Sequence, residues 1–376
     1  MLGNIAIGLS VLAPAGMLAE LARDLDVTIR DAGLLVTYGA VVLCVSSPLS
    51  AWLTSRIDRR VLLAATIGIL AACEAATAFA PNYASVLVLR LIMLAAAALY
   101  TPQAAATIAM IVPEKARPSA IAFVFLGWSL AIAAGLPTVT FLTQHFGWRE
   151  AFAVLAGLGA IITILLLAVL PPALRGRELS LASFGVIARN GRIVLILLIT
   201  LLTTSGQFSV VIYLTPILER LTGRGAATAA VLFAMMGTLG LIGNLIATSV
   251  VGRFGLQKTF AFFTGSLTLG LVLWAAGAGM FAVMGAGIAF LGLGFAASNS
   301  MQQARLAEAA PDFAGASIAM NTSILYVGQA LGSGIGGWMF AFGHYSAAGY
   351  VAAAFGVAAM GLVILTWQRK PRRLNP

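Results

Sequence analysis

Charge is what this sequence has least of. Only 9% of its 376 residues are Asp, Glu, Lys or Arg, while 61% are hydrophobic. A water-facing globular surface needs about a quarter of its residues charged, so the shortage excludes a soluble domain. Histidine and cysteine are rare as well, with two of each. Cys44 and Cys73 both fall in apolar runs and read as small hydrophobes. Without a Cys/His cluster, no disulfide framework, metal site or cofactor is expected. Ten-residue stretches of strict apolar–polar alternation are missing too, which excludes a membrane barrel.

What remains is apolar sequence in runs. The length divides into about twelve segments of ~20 residues, each enough to cross ~30 Å of hydrocarbon as a helix. The first runs from Met1 to about Ala19; it has no charged start and is read as a span, not a secretory signal. The longest interruption is Pro171 to Arg192, which carries Arg175, Arg177, Glu178, Arg189 and Arg192. Around it the first half reappears weakly in the second at one constant offset, which places Arg56 on Arg253, Ala120-Ile121-Ala122 on Ser317-Ile318-Ala319, and Gly135 on Gly332. The expected fold is an all-α integral membrane protein: twelve transmembrane helices in two pseudo-symmetric six-helix bundles. The bundles are 1–170 and 193–367, joined by a connector at 171–192 and followed by a basic tail at 368–376. Parallel repeats of this kind place a ligand between the halves.

The formal net charge of +10 does not point to nucleic acid, because of where it lies. Sixteen of the twenty-two Lys and Arg fall on one side of the expected helices, five on the other, and Arg90 alone lies within a span. That bias makes the basic side cytoplasmic, with both termini on it.

The loop Leu53-Thr54-Ser55-Arg56-Ile57-Asp58-Arg59-Arg60 and Arg90 in the fourth span carry a resemblance, as do Gly135-Leu136-Pro137 and the exit Phe146-Gly147-Trp148-Arg149 in the fifth. So do Gln303-Ala304-Arg305, Asn321-Thr322-Ser323 and Gly328-Gln329-Ala330-Leu331-Gly332 in the tenth and eleventh. In order and nearly end to end, they resemble the major facilitator superfamily, in its twelve-helix drug:proton antiporter branch and arabinose-efflux-permease-like group. The resemblance implies a secondary exporter of small organic molecules (drug, sugar or nucleobase-like) working by alternating access with protons, in the bacterial inner membrane. It assigns Arg56, Asp58, Arg59, Arg60, Gly135, Pro137, Asn321, Gly328 and Gly332 to conformational motifs, and the internal repeat adds Arg253, the counterpart of Arg56. It also implies that helices 1, 4, 7 and 10 line the central cavity. The sequence departs from the pattern at Ala51 and Ser55, at Met93 and Leu94, and at Val11, where the group often carries an embedded acid.

Glu74 and Arg90 are the ionisable residues placed well inside the membrane, where an Arg costs roughly 2.5–3.5 kcal/mol on the gentlest scale. Across the tight turn Pro81-Asn82-Tyr83 they fall at similar depth, so a pair between them is possible, and they are the candidates for proton coupling or gating. Tyr100 and Gln103 share one face of helix 4, Thr204 and Gln207 one of helix 7, and Asn299 and Gln303 one of helix 10. These are the cavity candidates; polar helix–helix contacts are the alternative. A cavity so poor in charge suits neutral or weakly cationic solutes. The expected partners are a small-molecule substrate, protons and the lipid bilayer, for a monomer. ATP is excluded as a driver, since the nearest thing to a phosphate loop, Gly252 to Thr259, has Gln257 in place of the required Gly. An uncoupled facilitator or importer is the alternative within transport, and a receptor on the same fold is the alternative of another class. An intramembrane enzyme would need a nucleophile–base pair that these residues lack.

Overall fold

The computed structural model describes residues 1–54, 57–113, 117–172, 174, 185, 187, 189–310 and 314–368. Among these residues there are helices and turns and no strand. In chain order the helices are α1 (Leu2–Asp24), α2 (Ile29–Leu53), α3 (Arg59–Ala78), α4 (Tyr83–Ile111), α5 (117–146), α6 (Trp148–Val169), α7 (191–222), α8 (Ala226–Phe254), α9 (Leu256–Ala276), α10 (Phe281–Ala309), α11 (Ala314–Ala341) and α12 (Tyr345–Gln368). Eleven are long and apolar enough to span a membrane, and α11, with 28 residues, completes two six-helix bundles. Arg56, most of the connector and the tail beyond Gln368 lie outside the described residues. We call the face where the chain leaves α6 and returns at α7 the connector face, and the opposite one the far face.

Polar residues and glycines set the ends. Asp58 caps α3 by accepting from the backbone N–H groups of Arg60 (2.8 Å) and Val61 (3.4 Å). Asn82 and Ser85 form a reciprocal capping box at α4, and Asn190 caps α7. A capping side chain contributes about 1 kcal/mol, so Asn82→Ala should lower the unfolding free energy by that amount, read by thermal unfolding in detergent. The two Phe-Gly pairs that close matching segments of the halves have one cause. Gly147 and Gly343 take φ of +108° and +74°, a left-handed turn that side chains resist.

Three helices depart from the sequence reading. α1 continues past Ala19 to Asp24, because Leu21 and Ala22 are buried. α5 holds a π turn at Ala131–Gly135, just ahead of Pro137, which has no N–H to offer the preceding turn. α7 breaks at Ile212 and Tyr213 and resumes as Leu214–Thr222.

Burial sorts the helices radially. The most apolar stretch of α1 is 83% buried and that of α6 only 22%, so α1 is central and α6 presents Ile161, Ile164 and Val169 to lipid. The halves meet along two seams, α2 with α11 and α5 with α8. On the far side, Thr37 of α2 and Ser333 of α11 are hydrogen-bonded at 2.8 Å. There the Tyr213 hydroxyl also fills the space a Cβ would need at Gly33 and Gly337. At Gly237 of α8 there is no room for a Cβ against the backbone of Ala133 in the π turn.

Within the second half, Gly328, Gly332 and Gly336 form a period-four stripe on α11. It lies against the carbonyls of Leu201, Ser205 and Ser209 on α7, the close approach that small residues permit between membrane helices.

Candidate solute site and buried charge network

A cavity of about 310 Å³ lies between the halves, in the part of the molecule nearest the connector face. Its walls come from α4, α5, α7, α8, α9, α10 and α11. Phe260 near the start of α9 and Thr248 near the end of α8 show how far it leans to that face, while the far end is closed by the contacts just described. Every lining residue is uncharged. Trp128, Phe208, Phe295 and Tyr326 supply broad apolar surface, and amides and hydroxyls supply polar handles, the mix typical of small-molecule sites.

Of the residues singled out from sequence, Thr204, Gln207, Asn299 and Gln303 line this cavity. Among the described residues the side chains of the last three make no hydrogen bond, so their donors and acceptors are free for a solute. Tyr100 and Gln103 are a correction: they are buried outside the cavity wall. The cavity face of α4 is instead Ala98, Thr101 and Pro102, a rotation that period analysis of one helix cannot see. Tyr100 packs its hydroxyl on Gly3 of α1, and Gln103 accepts from Arg59.

Several contributors were missed. Asn4 ties three helices, accepting from Thr101 (2.9 Å) and donating to the Val124 carbonyl (2.8 Å). Asn244 lines the cavity with an unpartnered, buried Oδ1 among the described residues. The only signal in sequence was an amide in an apolar run.

Glu74 and Arg90 do not pair. Arg90 donates to three backbone carbonyls: Leu35 (2.8 Å), Ser10 (3.0 Å) and Val11 (2.8 Å). Pro14 explains the choice, since it has no N–H for the Ser10 carbonyl four residues earlier. Glu74 contacts Ser10 as well, through the hydroxyl and Oε1, so one residue of α1 links both charges. The Ser10 hydroxyl also lies 2.8 Å from the Ala6 carbonyl. Glu74 Oε2 is buried without a hydrogen-bond partner among the described residues. Neither charge lines the cavity.

The motif residues are spread over both ends. Arg59 is buried, and its backbone N–H holds the Leu174 carbonyl of the connector at 2.8 Å. Arg60 donates to the Leu167 carbonyl of α6. Arg253 is exposed at the end of α8, its guanidinium 5.5 Å from the Phe254 ring centre. Asn321 accepts from Thr200 at 2.6 Å. Gly135 leaves room for Leu9 of α1.

Two six-helix halves around a seam cavity define a class of membrane transporters. Residues 1–322 match the Major Facilitator Superfamily, and the chain belongs to it: a multi-pass membrane transporter of small solutes, not an enzyme. It is 32% identical over 374 residues to the uncharacterized MFS-type transporter YtbD of Bacillus subtilis (strain 168), covering 97% of this chain and 92% of that one. It is 25% identical to a probable sugar efflux transporter of Mannheimia succiniciproducens, covering 96% of this chain and 90% of that one. The fold matches the crystal structure of a D-xylose–proton symporter with a TM-score of 0.77 at 16% identity, over 98% and 96% of the two chains.

Proposed function

We propose that this protein is a secondary exporter of small organic solutes, driven by proton entry through alternating access. On this reading it sits in the cytoplasmic membrane with the connector face inward, as the side bias of Lys and Arg favours. Residues 1–170 and 193–367 rock as two units, with 171–192 as the strap and 368–376 as a basic tail. The observation that carries the proposal is the asymmetry of the seam: a polar-studded cavity toward the connector face and a closed far side. Outward direction draws support from the Gly135-Leu136-Pro137 motif, now seen to shape the π turn at the α5–α8 seam, and from the relative named for sugar efflux.

The proton site in this proposal is Glu74, the one buried carboxylate among the described residues. Ser10 has a single hydroxyl proton for two acceptors, Glu74 Oε1 and the Ala6 carbonyl. A proton on Glu74 completes the set, because the carboxyl then donates to Ser10 while Ser10 donates to Ala6. Protonation thereby acts on α1 at the residue whose carbonyl holds Arg90. The energy suffices: one charge moved through 100 mV yields about 2.3 kcal/mol, enough for a solute gradient of roughly 50-fold at 1.4 kcal/mol per tenfold.

Everted vesicles with an imposed pH gradient, incubated in a medium containing a panel of labelled sugars, nucleosides and dyes, test the reading. Wild type should accumulate at least one solute in a gradient-dependent way. Glu74→Gln should still equilibrate that solute yet lose gradient-driven accumulation. Gradient-independent equilibration by wild type would favour the uncoupled facilitator, a reading that Val11 in the place of the group's usual acid supports.

A further inference from the structure

The described residues hold four buried charged side chains: Arg59, Glu74, Arg90 and Arg305. Three are positive and one negative. Glu74 and Arg90 share Ser10 near the far side, and Arg59 turns to Gln103, away from the cavity. Arg305 alone stands directly behind the cavity wall. Its guanidinium lies 4.2 Å from the Phe260 ring centre and donates to Gln302 Oε1 at 2.8 Å; both Phe260 and Gln302 line the cavity. Its second amino group donates to Thr366 of α12 at 3.2 Å. Among the described residues no carboxylate pairs with it. Among the same residues the charges that act on it are Arg192, of like sign, and Glu308, which is exposed.

The hydrogen bonds carry this charge inward. A guanidinium only donates, so the Gln302 carbonyl oxygen must face Arg305. The Gln302 amide then donates to Thr200 Oγ1 (3.1 Å) and to the Ile196 carbonyl (2.6 Å), and Thr200 donates to Asn321 Oδ1 (2.6 Å). Every dipole in the chain points its positive end away from the cation, and two of its members, Gln302 and Thr200, lie on the cavity wall. Charges with low-dielectric walls focus their field into the adjoining cleft, and a polarised hydrogen-bond chain strengthens it.

We propose that Arg305 gives the cavity a positive electrostatic potential, so that the site takes neutral or anionic organic solutes and turns cations away. This rests on the reading of the cavity as the solute path, and it replaces the allowance for weak cations made from the shortage of charge. The Gln302–Thr200–Asn321 chain positions that field and also orients this stretch of the wall.

Labelling rates measure the potential without needing a substrate or transport. In a Cys44→Ala, Cys73→Ala background, Ser300→Cys puts one thiol on the cavity wall. Its reaction with an anionic and a cationic methanethiosulfonate is compared, each rate divided by that for free 2-mercaptoethanol. The anionic reagent should be favoured by about tenfold or more. Arg305→Gln should bring the ratio near unity, Arg305→Lys should keep it, and Arg220→Gln, an exposed charge at the far face, should leave it unchanged. A wild-type ratio at or below one, a ratio that persists in Arg305→Gln, or no labelling by either reagent would overturn the proposal. Should Arg305→Gln not fold, the wild-type and Arg305→Lys ratios still decide. A protein that shows the ratio yet moves no solute in vesicles would count against the transport reading alone.

Discussion

Arg90→Met should lower the unfolding free energy by about 3–5 kcal/mol, the range for removing one partner from a buried charged network. Three carbonyls lose their donor at once, and the Ser10 carbonyl has no other, since Pro14 follows in the chain. Glu74 is meanwhile left as a buried acid with no cation nearby. Arg90→Lys should fall between, because an ammonium on a flexible stem cannot span carbonyls of both α1 and α2 as a planar fork does. Glu74→Gln should lie within about 1 kcal/mol of wild type, since the amide oxygen still accepts from Ser10 and Oε2 had no partner to lose. If the unpaired acid is the main penalty, Arg90→Met with Glu74→Gln recovers part of the loss. Thermal unfolding in detergent reads all four variants. Equal losses for Arg90→Met and Glu74→Gln would show that the carbonyl cradle is not what anchors α1.

Gly237→Leu should bias the conformational equilibrium more than it harms the fold. The added side chain has no room against the Ala133 backbone, and that contact crosses the α5–α8 seam just beyond the cavity toward the far face. Overpacking costs about 1–3 kcal/mol, but here the strain belongs only to the far-closed state. Rocking the halves relieves it, so the far-open population should rise roughly five- to 150-fold. A thiol at Ser300→Cys should then react faster with an impermeant maleimide added to intact cells, the side assigned to the far face. Gly332→Val is the contrast. Its clash is with the Ser205 carbonyl inside one half, so it should lower stability and leave the labelling bias unchanged. If Gly237→Leu alters neither labelling nor transport, that seam does not open.

The fold was open to reading from sequence because the bilayer enforces it. A long apolar run can only be a helix where backbone groups find no water. Helix number, polarity of the loops and the internal repeat follow from runs, charges and glycines that one dimension displays. The caps at Asp58 and Asn190, and the glycines after Phe146 and Phe342, are local features and sit where local chemistry put them. The site was legible only in part. Gln207, Asn299 and Gln303 stood out as amides in apolar helices, and they do line the cavity. Tyr100 and Gln103 stood out for the same reason and face elsewhere, because a helix's rotation about its axis is set by its neighbours.

Sequence by itself determined that this is a twelve-helix membrane protein with two like halves, that Glu74 and Arg90 lie inside it, and which face is the more basic. Only tertiary structure decided that Glu74 and Arg90 meet through Ser10 and not each other, that Arg90 takes the Ser10 carbonyl that Pro14 leaves free, and that Arg305 stands behind the cavity wall. The reason is physical. Burial and helicity depend on each segment's own transfer from water to lipid, whereas pairing, orientation and electrostatic field depend on distances between segments that no single segment contains.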